Sequence, residues 1–176
     1  FYADLSNLDM MSASLNGLVD KFGLKGAHID EVIGGAVVTH SKDFNLTREA
    51  LLSTKLAPST PGGTLIQACG TSLQAALGSA AKIATGAIDC AIATGSDTTS
   101  DAPIVFSKKF SRRLIEVGQA KTPLDKLKVF KGLSPGELAP QPPMVAEPRT
   151  GLSMGQHAEL MAQEWGITRE AQDELA

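Results

Sequence analysis

The sequence predicts an α/β fold with helices packed on a mainly parallel sheet, and three observations carry that expectation. Three short apolar runs, Glu31–Thr39, Thr64–Ala68 and Ile88–Thr94, alternate with stretches of helical spacing, the order of strand-helix-strand units with right-handed crossovers. The first run is continuously apolar rather than alternating, as in strands buried on both faces. Between the second and third runs, Gly70–Ala81 carries no charge and is small on most sides (Ala75, Ala76, Gly78, Ser79, Ala80, Ala81). Such a helix is expected to be buried, packed on more than one side.

Each element has its own local reason. Leu8, Met11, Leu15, Leu18 and Phe22 recur at spacings of three and four, with Asp4 or Ser6 as cap and Gly23 as stop, predicting an amphipathic helix within 1–22. Leu24–Asp30 is a linker in which His28 reads as a surface residue. In the first apolar run, Gly34 and Gly35 signal a close approach of backbone. A short helix over Thr47–Lys55 follows, capped by Asn45 or Thr47. Pro58, Pro61, Gly62 and Gly63 then break the chain before the second run. The central helix stops near Thr85, with Gly86 beyond it. Ser96–Asp101 is a polar loop at the carboxyl end of a strand, where α/β sheets bind ligands.

The last third has a different texture. Lys108–Lys131 holds eight basic residues against Glu116 and Asp125, a pattern of solvated helix faces or subunit contacts. Pro135, Pro140, Pro142, Pro143 and Pro148 predict an irregular, extended segment without helix. Ser153 and Gln156 form a capping box for a helix with the stripe Ala158, Met161, Ala162 and Trp165, closed by Gly166. Thr168 caps one more helix, and His157 lies off the stripe as an ordinary helix histidine.

With 176 residues, 43% of them hydrophobic, the chain can build a core, and a net charge of -3 argues against a nucleic-acid partner. No run is long enough to span a bilayer and no leader is visible, so a soluble, cytoplasmic protein is expected. Two cysteines are too few for a disulfide framework and have no metal-ligand company. Cys69 is the chemical candidate. It falls where a parallel strand hands over to a helix N-terminus, whose partial positive charge favours a thiolate, and Gly70, Thr71 and Ser72 offer backbone N–H groups beside it. Burial as a small hydrophobe is the alternative for any free cysteine.

Three segments resemble the thiolases, the acetyl-CoA acetyltransferases and 3-ketoacyl-CoA thiolases. Gln67-Ala-Cys-Gly-Thr-Ser-Leu-Gln-Ala75 is similar to the family's nucleophilic-cysteine motif. Ala93-Thr-Gly-Ser-Asp-Thr-Thr-Ser-Asp-Ala-Pro-Ile104 is similar to the glycine-rich segment after the next strand, in wording nearest the branch of trifunctional-complex beta subunits. Ser153-Met-Gly-Gln-His-Ala-Glu-Leu-Met-Ala162, with Ile167-Thr-Arg-Glu-Ala-Gln-Asp173, resembles a third family segment.

The resemblance implies a thiolase-like N-terminal half over 1–105, plus part of an inserted loop domain over 106–176. It implies Cys69 as the nucleophile that forms an acyl-enzyme thioester, and Ser153 and Met154 as residues lining the acyl pocket. Acyl-CoA and CoA are the implied substrates, with the coenzyme A thioester as substrate rather than bound cofactor, no permanently bound cofactor, and a homo-oligomer, dimer or tetramer, as the full-length assembly. The Lys108–Lys131 cluster would then attract coenzyme A phosphates. Departures are equally plain. The family's Gly-His-Pro histidine and the second cysteine of its Cys-Gly-Gly-Gly motif are absent, and Cys90 reads as a strand residue. The family's first strand, central in its sheet, has no counterpart, so the chain looks like an internal piece. From this follow an interrupted sheet with two open edges, pairing of those edges with another copy, and weak or no activity of the chain by itself. Related condensing enzymes of the ketoacyl synthase or hydroxymethylglutaryl-CoA synthase type, and a non-catalytic scaffold subunit, are the competing readings.

Overall fold

The computed structural model describes residues 2–176; Phe1, where the first expected helix was to open, lies outside them. The chain divides into two compact units, one ending at Pro103 and the other running Ile104–Ala176.

The first unit is built on three parallel strands, β1 (Glu31–Gly35), β2 (Gly62–Thr64) and β3 (Ala91–Gly95), in the order β2-β1-β3. Val32 lies opposite Gly62 on one side and Ile92 on the other. Helix α1 (Asn7–Phe22) opens on a capping box between Ser6 and Asp9 and closes at Gly23, whose φ of 65° suits glycine. The Ser6 bonds also hold the Asp9 carboxyl below its ordinary range. Helix α2 (Leu46–Leu52) is capped by Asn45, and Asn45 Oδ1 also accepts from Thr64 Oγ1 at 2.7 Å, which ties the helix start to β2. Helix α3 (Thr71–Ala84) connects β2 to β3.

Strand alternation sends Val32 and Ile92 to one face, where they join Met11, Leu15 and Val19 of α1 and Leu46, Ala50 and Leu51 of α2 in the core. Gly35 and Gly95 turn to the other face and let α3 approach. A Cβ on Gly35 would stand 3.1 Å from Thr71 Cγ2, and one on Gly95 3.1 Å from Ser72 Cβ. The expected close approach at Gly34 and Gly35 is thus met, Gly34 being pressed against the Thr94 backbone.

Several expectations change. The sheet is not interrupted, because β1 pairs directly with β3 along its whole length. The strands are shorter than the apolar runs. Beyond Gly35 the chain leaves the sheet, its Val37 and Val38 N–H groups donating to the Asp97 carboxylate at 2.7 and 2.9 Å. Cys90 precedes β3, its N–H bound with that of Asp89 to the Asp30 carboxylate; the Asp89 bond first, then that of Cys90, holds this carboxyl low. In α1 the expected Met11 and Leu15 are buried and Leu8 and Leu18 pack partly buried against the core, but the fully buried line runs on through Asn7 and Val19, and Phe22 is exposed.

The largest correction concerns α3. It buries only Thr71, Ala75 and Ser79, one residue per turn, while Leu73 and Leu77 are 65% and 57% exposed. The uncharged, mostly small stretch up to Ala81 signals two covered sides, but the helix runs on through Lys82 to Ala84 and the residues of this unit cover one side.

The second unit holds α4 (Lys108–Gln119), α5 (Pro123–Lys128), α6 (Pro135–Leu138), α7 (Met154–Glu164) and α8 (Arg169–Leu175). None buries a residue fully. Phe110 gathers Phe106 edge-on at 4.9 Å and Phe130 at 6.3 Å between ring centres. The proline-rich segment does contain a helical turn: Pro135 occupies the first position of α6, where its missing N–H has no partner to lose. The capping box at Ser153 and the cap at Thr168 are both formed. The Ala158, Met161, Ala162 and Trp165 stripe of α7 is not buried, Trp165 being two-thirds exposed. Among the described residues no helix is long and apolar enough to cross a membrane.

Candidate active site

Cys69 stands in the turn between β2 and α3, free and exposed. The expected strand Thr64–Ala68 stops early, at Thr64. From there Leu65 continues alongside β1 through its N–H to the Gly34 carbonyl at 2.8 Å, and Ile66 to Cys69 form the turn. The edge position of β2 explains the early stop, since only one neighbour holds it.

The turn is tightly bracketed. Ala68 has φ 43°, a left-handed conformation that a Cβ makes unfavourable. Gly70 N–H donates to the Gln67 carbonyl at 2.9 Å. Thr71, almost fully buried, accepts from Gln67 N–H at 2.9 Å and donates its hydroxyl to the Ala68 carbonyl at 2.8 Å. Gly70 is the N-cap of α3 and offers no side chain to satisfy the first turn, so the positive end of the helix is left open next to the thiol.

Cys69 borders two clefts. One, about 240 Å³, lies between the β1 and β3 carboxyl ends and the start of α3, with Gly35, Thr71, Ser72 and Asp97 on its walls. The other, about 680 Å³, is walled by Tyr2, Met10, Val38 and the Thr98–Ser100 loop. Both are lined by residues of the first unit. Asn7 fixes their rim, its Nδ2 donating to the Val38 carbonyl and its own carbonyl accepting from Ser96 Oγ at 2.9 Å. The loop Ser96–Asp101 thus follows the carboxyl end of β3 and, through Ser96 to Ser100, lines the two clefts. The sequence points to Thr71 only for its backbone N–H, and to neither the Thr71 hydroxyl nor the Asp97 carboxylate. The signal for Asp97 was an acid two residues past a strand-ending glycine; a threonine at a helix start is too common to stand out.

No histidine lines either cleft among the described residues. His28 meets Ser59 Oγ at 3.1 Å and His40 the Asp101 carbonyl at 2.6 Å. In the second unit, His157 meets Thr150 Oγ1 at 3.1 Å. Ser153 there serves as the α7 N-cap, accepting from Gln156 N–H, and Met154 is 75% exposed on the first turn. Of the eight basic residues, Lys109, Arg112, Arg113 and Lys128 pair with Glu137, Glu116 and Asp125. No group of acids, histidines and cysteines that could hold a metal ion occurs among the described residues.

A free cysteine held in a strained turn, at the carboxyl edge of a parallel sheet and the open start of a helix, defines an α/β protein of the kind that presents a thiol to a cleft. Residues 1–176 match the family model described as thiolase, N-terminal domain, and the chain belongs to the thiolase family. It is 39% identical over its whole length to a 3-ketoacyl-CoA thiolase of Alteromonas mediterranea, of which it spans 40%. It is also 43% identical over 148 residues, 84% of the chain, to a 3-ketoacyl-CoA thiolase of Klebsiella pneumoniae, of which it spans 34%. The chain therefore spans about two-fifths of the length of curated relatives it matches. The fold is shared with an acetyl-CoA acetyltransferase of Bacillus anthracis, at a TM-score of 0.73 and 21% identity over 98% of this chain and 40% of that one.

Proposed function

We propose that this chain supplies the nucleophile of a thiolase-type acyltransferase, with Cys69 as the acyl-accepting thiol and an acyl-CoA thioester as its substrate. The single observation that supports it is the placement of Cys69, exposed, beside two clefts and at the uncapped start of α3. The Cys69 thiolate attacks the thioester carbonyl carbon. As the tetrahedral oxyanion collapses, the bond to the coenzyme A sulfur breaks and coenzyme A leaves as a thiol after taking up a proton. The Gly70 and Thr71 N–H groups are taken by the Gln67 and Ala68 carbonyls, so it is the uncapped Ser72 and Leu73 N–H groups of the α3 start that are suited to the oxyanion. The full-length relatives' names make 3-ketoacyl-CoA thiolysis or acetyl transfer between two coenzyme A thioesters the reading for the whole protein.

In the same reading residues 1–105 are the nucleophile-bearing domain and 106–176 part of an inserted loop domain. Ser153 and Met154 contribute to the acyl pocket, and Lys108, Lys121, Lys126 and Lys131 supply cationic charge for coenzyme A phosphates. No cofactor is needed for this chemistry, and assembly into a homo-oligomer belongs to the full-length protein. With no histidine on either cleft among the described residues to move protons, the 176-residue chain forms the acyl-enzyme slowly and completes little turnover.

Incubation of the folded chain with acetyl-CoA, followed by intact mass and peptide mapping, tests the reading. One acetyl group on Cys69, absent from Cys69→Ser, is the expected result. A folded chain without label, or labelled equally on exposed Cys90, removes the nucleophile role from Cys69.

A further inference from the structure

The Cys69 turn contains an unusual combination. Ala68 is the sole non-glycine residue with a positive φ among the described residues, and it directly precedes the thiol. Left-handed alanine is sterically unfavourable and persists only where surrounding contacts hold it. Beside the backbone bonds from Gly70 N–H to the Gln67 carbonyl and from Thr71 N–H to the Ala68 carbonyl, two of those contacts come from one side chain. The Thr71 hydroxyl accepts from the N–H of the Ile66–Gln67 peptide and donates to the carbonyl of the Ala68–Cys69 peptide, spanning the Gln67–Ala68 pair that contains the left-handed residue. Thr71 is 5% exposed, and its methyl group packs towards Gly35. Its position leaves it the first residue of α3, so the side chain that locks the turn is carried by the helix whose open end faces the thiol.

We infer that Thr71 is a positioning residue for Cys69: its hydroxyl fixes the left-handed Ala68 backbone and thereby aims the thiol at the cleft and the α3 start. This inference rests on the nucleophile reading of Cys69. Threonine separates the two parts of the job. Valine keeps the methyl packing against Gly35 and loses the hydroxyl, whereas serine keeps the hydroxyl and loses the methyl.

The test compares iodoacetamide alkylation rates of Cys69 and Cys90 in the folded chain, each read by peptide mapping, so that exposed Cys90 reports on general changes. Thr71→Val is expected to slow Cys69 by about tenfold, the equivalent of one well-placed hydrogen bond, with Cys90 unchanged. Thr71→Ser is expected to restore the rate to within about threefold of the parent, the hydroxyl carrying most of that hydrogen-bond energy. A Cys69 rate untouched by Thr71→Val, or not rescued by Thr71→Ser, overturns the inference while leaving the nucleophile reading intact. A parent chain in which Cys69 reacts no faster than Cys90 overturns both. Should Thr71→Val fail to fold, the double variant Ala68→Gly with Thr71→Val relieves the backbone strain without replacing the hydrogen bonds. Cys69 remains slow in it if the hydroxyl aims the thiol, and a full recovery of rate overturns the inference.

Discussion

Replacing Gly35 by alanine probes the contact on which the site is built. A Cβ at this position would fall 2.0 Å from the Leu65 carbonyl oxygen, 3.2 Å from its carbon and 3.1 Å from Thr71 Cγ2. A carbon settles no closer than about 3.3 Å to such an oxygen, so the Leu65 carbonyl must retreat by about 1.3 Å. Flexible side chains absorb a shift of that kind cheaply, but this atom belongs to the backbone. Leu65 N–H, in the preceding peptide, donates to the Gly34 carbonyl at 2.8 Å, and the backbone shift at Leu65 is expected to break that bond. Overpacking contributes about 1–3 kcal/mol and the lost hydrogen bond about 1 kcal/mol, for an expected destabilisation of about 2–4 kcal/mol. With a urea slope of about 2 kcal/mol per molar, the unfolding midpoint falls by about 1–2 M. Gly95→Ala is the milder comparison, because its nearest contacts, Ser72 Cβ at 3.1 Å and the Gly35 carbonyl oxygen at 3.4 Å, are tight but do not overlap as the Leu65 carbonyl does. The displaced segment leads straight to Cys69, so acetyl labelling is expected to fall in Gly35→Ala even below its midpoint. A midpoint within about 0.3 M of the parent, a difference of well under 1 kcal/mol, refutes the packing of Leu65 on Gly35.

The one-sided burial of the first unit predicts a contrast between two leucines. Leu15, 1% exposed in the core, is expected to cost about 2–5 kcal/mol as alanine, whereas Leu77→Glu on the open face of α3 stays within about 0.5 kcal/mol of the parent in urea unfolding. A large loss for Leu77→Glu contradicts the exposed face. In the second unit, Glu147 is held down to about 2 from its ordinary 4.5, chiefly by the Arg149 side chain, with the N–H groups of Thr150 and Arg149 adding to it. A carboxyl lowered on folding contributes stability that is fully present above 4.5 and is lost as pH falls through about 2. Carbon-detected NMR titration of the Glu147 carboxyl is expected to show that low midpoint, and Arg149→Ala to raise it; a midpoint unmoved by the substitution refutes the assignment to Arg149.

The local elements were legible because their causes are local. Ser6, Asn45, Ser153 and Thr168 cap as their side-chain oxygens require, and Gly23, Gly86 and Gly166 take the left-handed backbone that ends a helix. The parallel order followed from strands separated by helices, and the place of Cys69 at a strand-to-helix turn followed from the Gln67–Ala75 string. The family, too, was readable from three segments in order.

What the sequence could not supply is everything that depends on which surfaces meet. An apolar, small helix announces that its sides are made for cover, but only the tertiary structure shows α3 covered along Thr71, Ala75 and Ser79 alone. Pairing of β1 with β3 is a choice among edges, and no local pattern encodes it. The site depends on the same kind of information. Asp97 reaches Val37 and Val38 across some sixty residues, and Gly35 admits the Leu65 carbonyl from the segment just past β2, thirty residues away. Composition and spacing determine which residue types are present and which helices they favour, whereas hydrogen bonds between distant backbone groups exist only once the chain has closed on itself.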